Sequence, residues 1–513
     1  MIFFIHKNST IPVKAIRNGT NIDISSKSCT ESLWELANNF PDEFLIWVEE
    51  EFQNDLLAEN LKKIFYHDRI MASYSLKTQY LSDDIGYIDQ LPFINVARDV
   101  KYPTWQMSTD IGGVHSSVLL KFQSQLAEIP SLGYLLDSVA KTGQQNGLFC
   151  YSDPGLIDLK GQNKLGVKAD NTDLFAFVAQ HYKVIWSFVL LYSLIRYEKN
   201  FPLFAFINSF FKADFFKMQV DLSDIEIENA DRSQVDSIDI IIPTIGRPQF
   251  LYQVVKDLSQ QSLLPKRVII IEQNPDPEST SEISDLINTE WSFEIIHHFT
   301  HKTGACMARN MALKEVRSEW IFFADDDIRV PGKVLEQTIS EAKRLGVDCI
   351  NLNCKQPGEA TVFRKIKQWG SFGSGTSVVR SKFASLHRFS EVYEHGYGED
   401  SDYGMKLRQS GCDIIYHPDL VIQHLKAPIG GFRKKPTLDW EREKPLPKPS
   451  PTIMIFSKRY FTKKQIKGYR ISLILKSYKN QPIRNPLSYL RSMRKRWELS
   501  ELWSRELVTR NTE

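Results

Sequence analysis

The sequence predicts an α/β protein with a mostly parallel sheet and more than one domain. Three observations carry this. The chain has 513 residues, more than one ordinary hydrophobic core serves. Short aliphatic runs alternate with segments of helical spacing. The stretch from 221 to about 237 is acidic, polar and aperiodic, as a linker is.

After that linker the elements follow in order. Ile238-Asp-Ile-Ile-Ile-Pro243 is a short apolar run closed by proline, which reads as a buried strand. From Gln249 to Gln261 the apolar residues Phe250, Val254, Val255 and Leu258 share one helical face. Arg267 to Ile271 is a second buried strand. Strand, helix, strand in this rhythm argues for parallel pairing. A helix is expected from Met307 to Val316, a strand from Trp320 to Ala324, and a helix from Gly332 to Leu345. Asp348 to Leu352 is a strand and Glu399 to Gln409 a helix. Asp413 to Tyr416 and Leu420 to Ile422 are the last strand candidates. The domain so outlined runs from 236 to 435.

Residues 1–225 read as an N-terminal α/β domain of unknown role. Two echoes connect it to the second half. Ser116-Ser-Val-Leu-Leu-Lys-Phe122 resembles Thr376-Ser-Val-Val-Arg-Ser-Lys-Phe383, and Trp47-Val-Glu-Glu-Glu51 follows an apolar run as Asp325-Asp-Asp327 does. They suggest an internal duplication whose first copy has decayed. Residues 436–513 form a C-terminal extension, proline-rich at first and then basic. From 451 on, 15 lysines and arginines face four glutamates. Basic amphipathic helices are expected there, either packed on the preceding domain or facing an anionic membrane surface.

The bulk numbers exclude several classes. A net charge of +2 makes no case for nucleic acid. Six scattered cysteines without a CxxC pair read as reduced thiols of a cytoplasmic protein, not a disulfide frame or a zinc site. Met1 to His6 lacks the basic start and cleavage site of a signal peptide. The apolar run Val184 to Ile195 is shorter than the roughly 20 residues a spanning helix needs, so a buried helix is expected.

The strongest chemical signal is Trp320-Ile-Phe-Phe-Ala-Asp325-Asp326-Asp327. Three carboxylates at the end of a buried strand repel one another and are costly to desolvate. Residues i and i+2 of an extended chain face the same way, so Asp325 and Asp327 can converge on one ligand while Asp326 turns aside. A hard divalent cation is the natural partner, although an acidic loop that merely ends a strand would read alike.

Further motifs join it in order: Ile240-Ile-Ile-Pro243-Thr244-Ile-Gly-Arg247, Gly304-Ala-Cys-Met-Ala-Arg309-Asn310, Gly398-Glu399-Asp400, and His424. With Asp325-Asp-Asp327 as the DXD motif, the segment from 238 to 435 resembles family 2 of the glycosyltransferases. That family has the GT-A fold, a Rossmann-like sheet. The resemblance implies an inverting, metal-dependent transfer of a sugar from a nucleotide-diphosphate sugar, a UDP-sugar by preference, to an acceptor hydroxyl of a glycan or lipid-linked acceptor. It implies polysaccharide or lipid-linked glycan synthesis, at the inner membrane face if the basic tail binds lipid.

Residue by residue, the resemblance places Pro243, Thr244, Arg247, Glu272, Arg309, Asp325 and Asp326 at the nucleotide sugar. Asp327 and His424 become ligands of Mn2+ or Mg2+. Asp400 becomes the general base that takes the acceptor proton, with Asp402 a rival for that role. Glu399 becomes an acceptor contact; Trp369, heading the glycine-rich loop to Gly375, is the right residue type to stack on an acceptor sugar, and packing in the core is the other reading. Glu272 departs from the family's usual Asp by one methylene, which leaves the base open. Gly430-Gly431 could let a loop close over the donor. Arginine is usually a solvated surface residue, a lone histidine is more often structural, and an acidic first turn suits any helix dipole. The alternative function is a non-catalytic GT-A-like domain that binds carbohydrate or scaffolds a complex. A sugar nucleotidyltransferase would want a different loop after the first strand, and a glycoside hydrolase would not need the nucleotide-like loop.

Overall fold

The structure is a computed structural model and describes residues 1–158, 166–211, 220–227, 236–428 and 436–511. The loop at Gly430-Gly431 lies outside the described residues. The chain forms two compact units, one of residues 1–229 with 461–472, the other of residues 230–460 with 473–513.

The second unit is built on a nine-stranded mixed sheet. Its parallel half runs, from the edge inward, Glu294–Thr300, Arg267–Gln273, Ile238–Thr244 and Trp320–Ala324. Thr376–Arg380 then pairs antiparallel to both Trp320–Ala324 and Cys349–Lys355, and Cys349–Lys355 pairs parallel to Ile415–His424. The Ile238–Thr244 run buries its aliphatic side chains completely, which is why it reads as a continuous apolar stretch. Asp239 interrupts that stretch, and its carboxylate is fully engaged. It pairs with Arg267 at 3.1 Å and accepts from the Arg317 and Ser318 amides at 2.9 and 3.0 Å.

The expected helices occur at Pro248–Ser259, Ala305–Leu313, Val334–Leu345 and Glu399–Gln409. Pro248 starts the first with the φ a helix needs. The two expected final strands are one, Ile415–His424, with an irregular register where it meets Cys349–Lys355. The strands Glu294–Thr300 and Thr376–Arg380 were not expected. Glu294–Thr300 is half-exposed at the sheet edge and carries two histidines, so it lacks an apolar run.

The first unit holds an eight-stranded sheet in the order Thr20–Ile22, Ile11–Arg17, Ile2–Lys7, Phe44–Glu49, Ile111–His115, Ile70–Tyr74, Phe149–Ser152, Tyr102–Pro103. The echo at 116–122 does not hold in the register proposed. Ser116–Leu120 is a helix, whereas Thr376–Arg380 is a strand, and the equivalent strand here is Ile111–His115. The apolar run at Val184–Ile195 is helical over Ile185–Ser193 but only partly buried, with Val184, Ile185, Phe188 and Tyr192 exposed.

The C-terminal residues divide between the units. In the first unit, Gln465 is fully buried, donates to the Asp89 carbonyl at 3.3 Å and exchanges bonds with Asn95 at 2.9 and 3.0 Å. In the second, the helix Pro486–Arg510 buries Tyr489, Met493, Trp497, Ser500 and Ser504 along one stripe and packs with Pro451–Tyr460. None of the six cysteines forms a disulfide. No helix among the described residues is long and apolar enough to cross a membrane.

Candidate functional site

A cavity of about 630 Å³ in the second unit is lined by residues that follow the Ile238–Thr244, Arg267–Gln273 and Trp320–Ala324 strands. These are carboxyl ends of parallel strands, where open α/β sheets bind ligands. Pro243, Thr244, Arg247, Arg309, Asp325, Asp326, Asp327 and His424 all line it.

The three aspartates divide their directions as strand geometry demands. One carboxylate oxygen each of Asp325 and Asp327 and one ring nitrogen of His424 lie within 4.8 Å of one another. Asp326 turns away and is buried. It accepts from the Thr244 hydroxyl and from Arg247 Nη1, both at 2.7 Å. Burial pushes its carboxyl up to about 6 against the opposing pull of Arg247. Asp327 is also buried, which would raise its carboxyl. The His424 bond at 3.2 Å, the Ala427 amide at 2.9 Å and Arg247 at 3.2 Å outweigh that and hold it below the usual range. The same bond raises His424 above the ordinary imidazole value.

Two carboxylates and an imidazole converging on one point fit Mn2+ or Mg2+, and the nitrogen favours Mn2+. Arg247, expected at the nucleotide sugar, lines the cavity and is held between Asp326 and Asp327.

Arg309 is buried at one side of the cavity. Its Nε donates to the Ser374 carbonyl at 3.1 Å and its Nη2 reaches Asp325 at 3.4 Å. Asp400 sits beside Ser374, which favours its charged form, and its Oδ1 is a buried oxygen with no hydrogen-bond partner. Burial raises the Asp400 carboxyl, and Arg309 partly opposes the rise. Burial and the neighbouring Asp400 push Glu399 up to about 7. Gly398 precedes this pair at φ 111°, a conformation open to glycine, and lets the helix start where it does.

Glu399 and Asp400 are not among the residues that line the cavity, and three further sequence candidates stand elsewhere. Glu272 is buried and satisfied within its own edge of the sheet: Ser281 Oγ and the Glu282 amide donate to it at 2.7 Å, and His297 lies at 2.9 Å. Strand alternation turns its neighbour Gln273 to the cavity instead, with Oε1 accepting from the Gly304 amide. Trp369 packs with Phe363 and Tyr416 at ring separations of 4.9 and 5.0 Å and does not line the cavity. Asp402 is fully buried and bound by Lys406 at 2.7 Å, Arg459 at 3.1 Å and the Tyr460 hydroxyl at 2.9 Å, which makes it a brace, not a base.

Sequence reasoning missed Gln273, Glu394, His395 and Lys426, all of which line the cavity. Glu394 accepts from the Cys306 and Met307 amides at 3.1 and 3.0 Å, filling the N-terminus of the Ala305–Leu313 helix. Any side chain at Gly304 would collide with that carboxylate, so the glycine of the Gly-then-Arg-Asn segment marks the contact. His395 and Lys426 take left-handed backbone at φ 57° and 52°, which no local pattern announces.

Residues 239–393 match the family model described as Glycosyl transferase family 2. The chain is 23% identical over 201 residues to the succinoglycan biosynthesis protein ExoM of Rhizobium meliloti. That match covers 36% of this chain and 64% of the relative, so the chain spans a little under two thirds of that protein's length. Among solved structures it is similar to residues 1–349 of S. aureus TarS in complex with UDP-GlcNAc, at 15% identity and a TM-score of 0.33 over 53% of this chain and 74% of that one. It is also similar to the mannosyltransferase PcManGT from Pyrobaculum calidifontis in complex with GDP-Man and Mn2+, at 12% identity and a TM-score of 0.32 over 57% and 91% of the two chains. Residues 239–393 are, by that family model, a glycosyltransferase family 2 domain, and they lie in the nine-stranded mixed sheet.

Proposed function

We propose that the second unit transfers a sugar from a nucleotide-diphosphate sugar, a UDP-sugar by preference, to a hydroxyl of a glycan or lipid-linked acceptor, with inversion at the anomeric carbon. The observation that carries it is the convergence of Asp325, Asp327 and His424 at the cavity under the parallel strand ends. Held by these residues, Mn2+ or Mg2+ would stabilise the charge that grows on the departing diphosphate. Arg309 adds a fixed guanidinium on the same side. Thr244 and Arg247 lock Asp326 and keep the strand end in shape for the donor.

Asp400 takes the proton of the acceptor hydroxyl as its oxygen attacks the anomeric carbon and the nucleotide diphosphate leaves from the opposite face. Its raised carboxyl is nearer to working pH than an ordinary aspartate and so a stronger base. Glu399, beside it, binds the acceptor. The product belongs to polysaccharide or lipid-linked glycan synthesis on the cytoplasmic side of a membrane.

The test is a calorimetric titration of the full chain with UDP, GDP and dTDP in the presence of Mn2+, then in chelator. We expect one nucleotide, UDP, to bind only with metal. A folded protein that binds none of the three would return the domain to a carbohydrate-binding or scaffolding role.

A further inference from the structure

Two adjacent helices of the first unit leave much of their apolar surface exposed. In Ile185–Ser193 the buried positions include Ser187 and Ser193, and in Leu203–Phe211 they are Ala205 and Ser209. Val189 and Leu190 are buried too, and Phe206 packs against the core, but much of the large apolar surface points the other way. Phe188 and Tyr192 are 49% and 53% exposed, Phe204 76%, Ile207 55% and Phe211 84%. The two helices touch through Phe188, whose ring lies 5.1 Å from Phe206 and 5.8 Å from Phe210, so the exposed residues form one surface.

A buried serine needs an acceptor, and here the helix supplies it. Ser193 donates to the Val189 carbonyl at 2.7 Å and Ser209 to the Phe206 carbonyl at 2.7 Å. The outer aromatic side chains have no such local reason to face outward. With roughly 200 Å² per ring, the exposed area of Phe188, Tyr192, Phe204 and Phe211 is on the order of 500 Å², as large as the biggest apolar patch of a typical monomer, which is often functional.

The charges at its rim decide what covers this surface. Lys183, Arg196 and Lys199 are exposed at the helix ends. The one acid between them, Glu198, is held by the Tyr87 hydroxyl. An aromatic face ringed by cations complements a bilayer with anionic headgroups, where rings sit at the acyl boundary and lysines reach the phosphates. Each helix has nine residues, too short to span, so the surface lies in the interface.

We propose that the face made by the helices Ile185–Ser193 and Leu203–Phe211 seats the first unit on an anionic membrane surface. This stands apart from the transfer reading and from the last basic helix, Pro486–Arg510, which packs with Pro451–Tyr460 in the second unit.

The test is flotation of the full chain with vesicles of 30% phosphatidylglycerol in phosphatidylcholine. The parent chain is compared with Phe204→Glu/Phe211→Glu and with Arg491→Glu/Lys495→Glu, which lie on the exposed side of the last helix. The first pair is the most solvent-exposed part of the patch, so the fold is unaffected and nucleotide titration reads the same as in the parent. We expect the phenylalanine variant to lose vesicle binding by about tenfold or more and the tail variant to keep most of it. Hydrogen exchange of the parent on vesicles should slow at residues 185–211. Equal binding by parent and phenylalanine variant would overturn the proposal. So would a parent dimer in sedimentation velocity that the phenylalanine variant abolishes, since a second copy would then be the occupant.

Discussion

The two units carry the same five-strand framework and do different things with it. In the first, Ile2–Lys7 pairs parallel with Phe44–Glu49, and in the second Ile238–Thr244 pairs parallel with Trp320–Ala324. Each then meets an antiparallel strand, Ile111–His115 or Thr376–Arg380, with Phe44 facing His115 as Trp320 faces Arg380. A second antiparallel step and a parallel one complete both frameworks. In that register Glu49-Glu50-Glu51 stands where Asp325-Asp326-Asp327 stands. The units part on the other side of the first strand. The second unit adds two parallel strands through a helix crossover, which opens the cavity at their ends. The first adds the hairpin strands Ile11–Arg17 and Thr20–Ile22, and the turn at Asn8 and Ser9 closes over the strand end.

The acidic triplets differ accordingly. Lys77 of the first unit reaches Glu51 at 2.5 Å and Glu49 at 3.8 Å, and His6 reaches Glu49 at 3.3 Å. Asp110 pins the Lys77 backbone by its amide at 2.7 Å. The cavity left there is about 180 Å³. An internal ammonium thus occupies the place that the second unit offers to a metal. The lesson is that a strand framework preserves acidic residues for charge balance as readily as for chemistry, and the neighbouring strands decide which.

The largest test of this contrast is at Asp400, the proposed base. Asp400→Asn should lower kcat by about 10²–10⁴-fold with nucleotide titration unchanged. A loss of nucleotide affinity instead would move Asp400 to the donor side. Next, Asp327→Ala should abolish metal-dependent nucleotide binding and lower transfer by about 10²–10³-fold, whereas Glu51→Ala should alter neither. Calorimetry on both variants decides it, and an effect of Glu51→Ala on binding would break the distinction between the units.

Smaller effects sharpen it further. Lys77→Met leaves Glu49 and Glu51 without their ammonium, and urea unfolding should show a loss of about 2–4 kcal/mol. Unchanged stability would mean that His6 and the Asn8 amide suffice for Glu49. Glu399 gives the smallest effect. Burial raises its carboxyl from 4.5 to about 7, so the folded state holds a proton that the unfolded chain releases. That contribution is full below pH 4.5 and is lost as pH rises through 7. Glu399→Gln, neutral at every pH, should therefore gain about 1–2 kcal/mol at pH 8 and nothing at pH 4 in thermal unfolding followed across that range. A gain that is the same at both ends would assign it to packing.

Much of the second unit was legible because its signals are local. Trp320–Ala324 and Glu399–Gln409 fall where apolar run and helical spacing put them. Thr244, Arg309 and the three aspartates were legible as motif residues that the parallel sheet brings to one cavity. Glu272 was misplaced because a one-residue shift along a strand reverses the face, and Gln273 took the cavity side. Glu394, His395 and Lys426 were illegible because they reach the cavity through turns in left-handed backbone or through a helix end far along the chain.

By itself the sequence determined the buried parallel strands, the acidic strand end and the basic helices, since hydrophobic period and charge are read residue by residue. Only the tertiary structure decided which acids stay open. Asp402 and Glu49 look as reactive in the sequence as Asp400 and Asp325, yet both are shut in whereas the Asp325 side chain stays 38% exposed. Cations from distant segments, Arg459 and Lys77, neutralise the first two. Long-range charge pairing is invisible to local pattern, because the partner is chosen by the fold.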